Sequence, residues 1–428
     1  MHVEGEKQIS PLRASAVPVE MARNFSRFPR SSRHVTDIAH EQVHLPGYRA
    51  MKVLLVGNYR PDRQDSMQIY ASMLEVGMRA RGHEVRLLQP SAILGARVAV
   101  SSPLFKWSGY ADKFLLFRRE LRRAAQGADI VHLCDHSNAM YVPAVAHQAH
   151  IVTCHDVLAI RSAMGHFPDN PVGVTGRTFQ RLIARGLRQA RTILCVSRKT
   201  RDDLKRYLAV PEERLQIVPN AVPWPYAPAI RDACASLLRS VGLEPDEPYF
   251  FHIGGNHWYK NRGAAIQIFA ELRKLPQYAG AKLVMAGGPM TAALREIAGQ
   301  YQVGEAIVEG VGLSNECLQA LYSCALATLF PSLEEGFGWP ILEAQACGCP
   351  VVTTDRPPMN EVAGGAAILI DPTQPELAAR TIARALQNST QMRADGLRNA
   401  ACYSTERMLE RCEGLYHEIV TGARMRRD

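Results

Sequence analysis

Short apolar runs recur through this chain, each closing on a glycine, proline, serine or acidic residue, with stretches of helical character between them. "MKVLLVGNY", "ADIVHLCD", "HIVTCHD", "RTILCVS" and "LQIVPNAV" form one series; "PYFFHIGG", "AKLVMAGG", "EAIVEGVG", "ALATLFPS", "PVVTTD" and "AAILIDP" form a second. Runs this short and this apolar read as strands buried on both faces. Strand and helix in alternation imply a parallel sheet, because parallel neighbours need a crossover and the crossover helix covers the sheet. The proline-rich "PWPYAPAIRDA" separates the two series. The expected fold is therefore α/β: two doubly wound Rossmann-like domains facing across a cleft, at residues 51–225 and 226–405. A helix over residues 406–428 is expected to cross back to the first domain. Residues 1–50, with "SRFPRSSRH", are polar and aperiodic and read as a disordered extension. Met1 and Met51 both stay open as the translational start.

A chain of 428 residues is long enough for two cores. No apolar run reaches the ~18 residues of a membrane-spanning helix, and the N-terminus lacks the apolar segment of a secretory signal. The ten cysteines are scattered. They read as reduced thiols in a cytoplasm, and "CGC" at Cys347 to Cys349 reads as a helix end rather than a metal site. Charge is uneven. Residues 51–225 carry 25 Lys and Arg against 14 Asp and Glu, whereas residues 226–428 carry 18 against 22. A basic first half points to an anionic partner. No nucleic-acid motif accompanies it, and no G-x-G-x-x-G opens either half, which argues against a dinucleotide oxidoreductase.

The most informative stretch is "PSLEEGFGWPILEAQACGCPVV", residues 331–352. "ALATLFPS" before it is strand-like and "PILEAQACG" helical. Pro340 suits the first helical position and Gly348 the position after the helix. The turn sets Phe337, Gly338 and Trp339 at a helix N-terminus, whose free N–H groups suit a phosphate. Gly336 and Gly338 would let a ligand approach the backbone. Glu335 in the turn and Glu343 in the first helical turn would face one crevice, one acid near each end of a nucleotide diphosphate. A second stretch, "HIGGNHWYKNRGAAI", ends a strand at Gly254 and Gly255 and places Lys260 where an ammonium can neutralise a leaving diphosphate. A third, "VTCHDVL", puts His155 and Asp156 at a strand end, where cleft residues belong; His136 in "CDHSN" is a further cleft candidate.

Over some fifty continuous residues, "LYSCALATLFPSLEEGFGWPILEAQACGCPVVTTDRPPMNEVAGGAAILIDP" resembles the retaining glycosyltransferases of family 4 (glycosyl transferases group 1), which have the GT-B fold. The resemblance runs from about Met51 to the C-terminus. It implies that Glu335 contacts the transferred sugar, that the Phe337 and Gly338 N–H groups contact the donor, and that Glu343 bonds the ribose hydroxyls. It also implies that His155 approaches the donor sugar, that Lys260 acts on the diphosphate, and that Gly57 belongs to the loop near acceptor and diphosphate. The family usually carries Arg-Lys-Asn where this chain has Tyr259-Lys260-Asn261, so Arg262 is a candidate replacement. Asp65-Ser66-Met67 replaces the second glycine cluster of the first loop, which leaves the acceptor unnamed. Trp339, commonly leucine in the family, shapes the sugar or base pocket or packs the helix start.

The resemblance implies a metal-independent hexosyltransferase without a cofactor. It would take a GDP- or UDP-linked sugar to a hydroxyl acceptor, lipid-linked or free, in bacterial surface polysaccharide or glycolipid assembly. A sugar-nucleotide epimerase of the same fold and a non-catalytic nucleotide-binding regulator are the alternatives; the intact Glu335–Glu343 turn argues against the first and the retained His155 and Lys260 against the second. Two basic segments suggest a peripheral position at the inner face of the cytoplasmic membrane. "DKFLLFRRELRRAAQ" sets Phe114, Phe117 and Leu121 among Arg118, Arg119, Arg122 and Arg123. "GRTFQRLIARGLRQAR" sets Arg177, Arg181, Arg185, Arg188 and Arg191 on one helical face. Oligomeric state is not legible.

Overall fold

The structure, a computed structural model, describes residues 49–62, 64–91, 93, 108 and 112–424. The extension expected over residues 1–50 lies outside the described residues except for its last two. Strands β1 (Lys52–Val56), β2 (Glu84–Leu88), β3 (Ile130–Leu133), β4 (His150–Cys154), β5 (Ile193–Cys195) and β6 (Leu215–Ile217) form a wholly parallel sheet in the order β2-β1-β3-β4-β5-β6. A second parallel sheet holds β7 (Tyr249–Gly254), β8 (Lys282–Gly287), β9 (Ile307–Gly310), β10 (Thr328–Phe330), β11 (Val351–Thr354) and β12 (Ile368–Ile370), in the order β12-β11-β10-β7-β8-β9. Each of the eleven apolar runs of the sequence is thus a strand or leads into one. β2 lies within the βαβ opening.

Both sheets are covered on two faces. Helices Phe117–Ala125, Val174–Gln189 and Arg198–Leu208 bury Phe117, Leu121, Ile183, Leu187 and Leu204 against one face of the first sheet. The other face takes Tyr70 and Leu74 from the Asp65–Ala80 helix, and Leu409, Cys412 and Tyr416 from the C-terminal helix Thr405–Arg424. That helix therefore crosses back to the first domain. Its anchor is ionic as well as apolar. Arg81 donates to Glu413 at 2.7 Å and also bonds Glu406, and His83 meets the other Glu413 oxygen at 3.0 Å. A pair buried this deeply is kept only with good geometry, and losing one partner strands the other charge.

The strand orders locate the crevices. In a doubly wound sheet, ligands bind beyond the strand C-termini where the winding reverses. The reversal falls between β1 and β3 in the first sheet and between β7 and β10 in the second. The loops after these four strands begin at Gly57, Cys134, Gly255 and Pro331.

Candidate active site

At the second reversal, the loop after β7 ends in the short turn Trp258–Lys260, and the loop after β10 carries Glu334 and Glu335. Lys260 Nζ donates to Glu335 Oε1 at 2.6 Å; the two side chains are 17% and 9% exposed. Two residues separated by 75 positions thus form an ion pair at the switch point. The backbone of the two loops is joined as well, by the Leu333 N–H donating to the Tyr259 carbonyl at 2.8 Å, and Asn261 Nδ2 donates to the Pro331 carbonyl at 3.1 Å.

The helix Trp339–Ala346 starts after Gly338, whose φ of 108° a side chain would strain. The N–H groups of Phe337, Gly338 and Trp339 find no protein acceptor among the described residues. Orphan donors at a helix start carry the positive end of its dipole. The Phe337 side chain is buried in the second core, edge-on to Tyr403, so only its backbone is offered to a ligand. Pro340 is the second helical residue, and Gly348 follows the helix at φ 67° as expected.

Glu343 stands in the second helical turn rather than the first, because the helix begins at Trp339. It is 8% exposed, and its Oε2 accepts the Tyr322 hydroxyl at 2.8 Å. Burial pushes its carboxyl up to about 7, against the opposing pull of the Tyr322 hydroxyl and the Lys260 charge.

Gly336 plays a different part from the one expected of it. A Cβ there would lie 1.8 Å from the His155 carbonyl oxygen. What its bareness admits is the backbone of the first domain, not a ligand. The Gly336 carbonyl accepts Ser197 Oγ at 2.7 Å and Thr200 Oγ1 at 3.3 Å. Two residues earlier, Arg161 makes two bonds to Glu334 at 2.9 and 3.1 Å, while Lys199 reaches the same carboxylate at 3.5 Å. The loop is therefore clasped by the first domain at Glu334 and at Gly336, and His155 and Glu335 are brought into one neighbourhood.

His155 is buried, edge-on to Tyr70 at 4.7 Å. Its Nε2 donates to the Cys134 carbonyl at 3.0 Å, which leaves Nδ1 as the acceptor. Burial holds its pKa below the ordinary value, so the ring is neutral at pH 7. At the first reversal, sequence reasoning missed Asn58 and Asp135. Asn58, directly after Gly57, donates to Asp135 Oδ2 at 2.6 Å, and Asn138 donates back to Asn58 at 2.9 Å. Asp135 Oδ1 lies 2.9 Å from His136 Nδ1. This contact overcomes the burial of both groups: the histidine is raised to about 9 and the carboxyl held below its usual range. Their signal was present, since each follows an apolar run that ends at the cleft edge.

Gly254 closes β7 beside Lys260, with its carbonyl against Gly287. Gly255 lies next to the His257 ring, and Gly57 lies beside Gln89. Arg262 Nη1 bonds Asn256 and donates to the Gly288 and Pro289 carbonyls, stapling two loops, while its buried Nε and Nη2 have no protein partner among the described residues. Trp339 packs the helix start. Its indole donates to the Ala221 carbonyl at 3.0 Å and packs against both a first-domain and a second-domain core, so the packing alternative holds. Among the described residues, nine of the cysteines are buried, Cys347 and Cys349 included, all ten are free thiols, and no group of three metal-ligating side chains converges.

The chain matches the family "Glycosyl transferases group 1" over residues 236–401 and the family "Glycosyltransferase Family 4" over residues 67–223. The O-antigen chain mannosyltransferase B of Escherichia coli is 27% identical over 277 residues, covering 63% of this chain and 70% of that protein. The sucrose-phosphate synthase of Thermosynechococcus elongatus superposes with a TM-score of 0.69 at 17% identity, over 87% of this chain and all of the other. HepE of Anabaena, in complex with UDP and glucose, gives 0.62 at 13% identity, over 85% and 99%. The chain belongs to glycosyltransferase family 4, and its fold is GT-B.

Proposed function

We propose that this chain is a retaining, metal-independent hexosyltransferase that moves a sugar from a nucleoside diphosphate sugar to a hydroxyl acceptor. The observation that carries it is the Lys260–Glu335 pair at the second switch point, beside the free N–H groups of Phe337, Gly338 and Trp339. In the free protein the ammonium is neutralised by Glu335. A donor diphosphate seated at the helix start would take that ammonium over and release the carboxylate toward the sugar. As the bond from C1 to the phosphate oxygen breaks, charge grows on the diphosphate, and Lys260 and the helix end stabilise it. The acceptor oxygen then bonds to C1 on the face the diphosphate leaves. Its proton passes to a diphosphate oxygen, and nucleoside diphosphate departs. Glu335 stabilises positive charge on the sugar, Glu343 grips the ribose, and neutral His155 offers Nδ1 to a sugar hydroxyl.

Incubation with GDP-, UDP- and ADP-sugars should release nucleoside diphosphate from at least one of them. If none releases it and none raises the thermal midpoint, the reading fails. The O-antigen relative, whose name places it in surface polysaccharide assembly, supports an acceptor of that class.

The acceptor is proposed to be lipid-linked and met at an anionic membrane surface. Helices Phe117–Ala125 and Val174–Gln189 pack on the same face of the first sheet. They hold Arg118, Arg119, Arg122, Arg123, Arg177, Arg181, Arg185 and Arg188 exposed. Leu182 is 42% and Val174 81% exposed among them. Arg191 departs from the expected face, because the helix ends at Gln189 and Arg191 donates to the Ala146 carbonyl. The Phe114 side chain lies outside the described residues. No described helix is long and apolar enough to cross a membrane. Each arginine near an anionic bilayer contributes ~1 kcal/mol, screened by salt. Arg181, Arg185 and Arg188 changed together to Glu should abolish sedimentation with phosphatidylserine vesicles and spare donor binding. Wild-type protein that ignores such vesicles at low salt would show the face to be merely solvated.

A further inference from the structure

We propose that Tyr322 is a positioning residue for the donor: its buried hydroxyl fixes the Glu343 carboxylate in the orientation that grips the ribose. This rests on the nucleotide-sugar reading above. Tyr322 lies on the helix Asn315–Cys324, at the very start of the family-like stretch but with no role assigned to it there. Its side chain is wholly buried, edge-on to Phe251 at 4.9 Å and to Tyr226 at 5.9 Å. Two rings therefore leave it little rotational freedom. Its hydroxyl reaches 2.8 Å to Glu343 Oε2. Among the described residues, Glu343 Oε1 receives no protein hydrogen bond. Tyr322 thus occupies one oxygen and leaves the other as an oriented acceptor. A flexible buried glutamate would have to order its side chain on binding; one held by a tyrosine does not.

The charge state follows from the same contact. Four titratable groups face this carboxyl: Tyr322, Tyr226 from the interdomain segment, Lys260 from the turn after β7, and Cys347 at its own helix end. Burial raises the carboxyl toward neutrality, and the Tyr322 hydroxyl and Lys260 oppose this. Removing the hydroxyl leaves burial less opposed. The carboxyl then ionises at higher pH, and donor binding that needs the ionised form weakens first on the acid side.

The test is titration of wild type and Tyr322→Phe with GDP-, UDP- and ADP-sugars between pH 6 and 8.5. Their diphosphates are diesters and do not titrate there. Wild-type affinity should fall below about pH 7. Tyr322→Phe should raise the donor KM about tenfold at pH 7 and leave kcat within about twofold, consistent with loss of one charge-assisted hydrogen bond. It should also move the acid midpoint upward by about one unit. In a Glu343→Gln background, Tyr322→Phe should change affinity by less than about twofold. A merely structural tyrosine would lower the melting temperature and leave the acid midpoint in place, and that result overturns the inference. Should Tyr322→Phe not fold, a wild-type affinity that is flat from pH 6 to 8.5 overturns it equally. Wild type that binds no nucleotide sugar at any pH overturns the donor reading itself, and the inference with it.

Discussion

Lys260→Ala should slow sugar transfer by about two to three orders of magnitude at saturating donor, the scale for removing one preorganised charge stabiliser. Donor KM should change far less, because the charge that Lys260 meets grows only as the glycosidic bond breaks. The structure adds a second consequence. Glu335 is 9% exposed, and Lys260 is its ion-pair partner at 2.6 Å. Losing the ammonium strands that carboxylate, at a cost of about 2–3 kcal/mol, below the ~3–5 of a fully buried pair because Lys260 keeps some solvent. The melting temperature of the donor-free variant should therefore fall, and the double variant Lys260→Ala, Glu335→Gln should recover part of the loss. Steady-state release of nucleoside diphosphate, with a melting curve for each variant, checks both. Turnover at the wild-type rate would make Lys260 an ordinary rim lysine.

Glu335→Gln should have the next largest effect, lowering turnover by about two orders of magnitude and more than Glu343→Gln does. The amide keeps the shape and still accepts from Lys260. It gives up the negative charge that would face the sugar as C1 becomes cationic. Glu343→Gln removes charge from the other end of the site, and its cost should fall on donor affinity at ~1–3 kcal/mol, the range for a hydrogen bond to a buried charged group. It should also flatten the pH dependence of donor binding. The sign is set by a carboxyl that is raised to about 7 in the fold. Between its unfolded value and about 7 the folded protein holds the extra proton, so ionisation costs stability as pH rises through that window. Donor affinity should run the other way, gaining as the carboxylate forms. Equal losses of turnover and affinity in the two glutamate variants would contradict the division of roles.

How much of this was legible beforehand differs from residue to residue. The strands could be read because a continuous apolar run needs only local hydrophobicity to declare itself. Gly348 at positive φ could be read for the same kind of reason: helix ends have a local chemistry. Gly336 was noticed but misassigned. Its bareness is real, yet what it accommodates is the His155 backbone 181 positions earlier. Trp339 shows the same limit, its indole bound to Ala221, 118 positions earlier. Tyr322 escaped notice because nothing in "LYSCALATLF" distinguishes a core tyrosine from one that holds a carboxylate.

By itself, the sequence determined two α/β halves, the strand–turn–helix unit around Glu335 and Glu343, the lysine turn after β7, and the family to which these belong. Each depends on periodicity, turn chemistry or spacing within a few tens of residues, and such patterns survive without knowledge of the fold. Only the tertiary structure decided that Lys260 and Glu335 neutralise each other, that the Glu334–Gly336 loop is clasped by Arg161 and Ser197, and that the C-terminal helix locks onto Arg81 and His83. It also decided that Glu343 is pushed up to about 7 while Asp135 is held down. The reason is physical: desolvation and ion pairing belong to a place in space, and that place is assembled from strands and loops that chain order does not make neighbours.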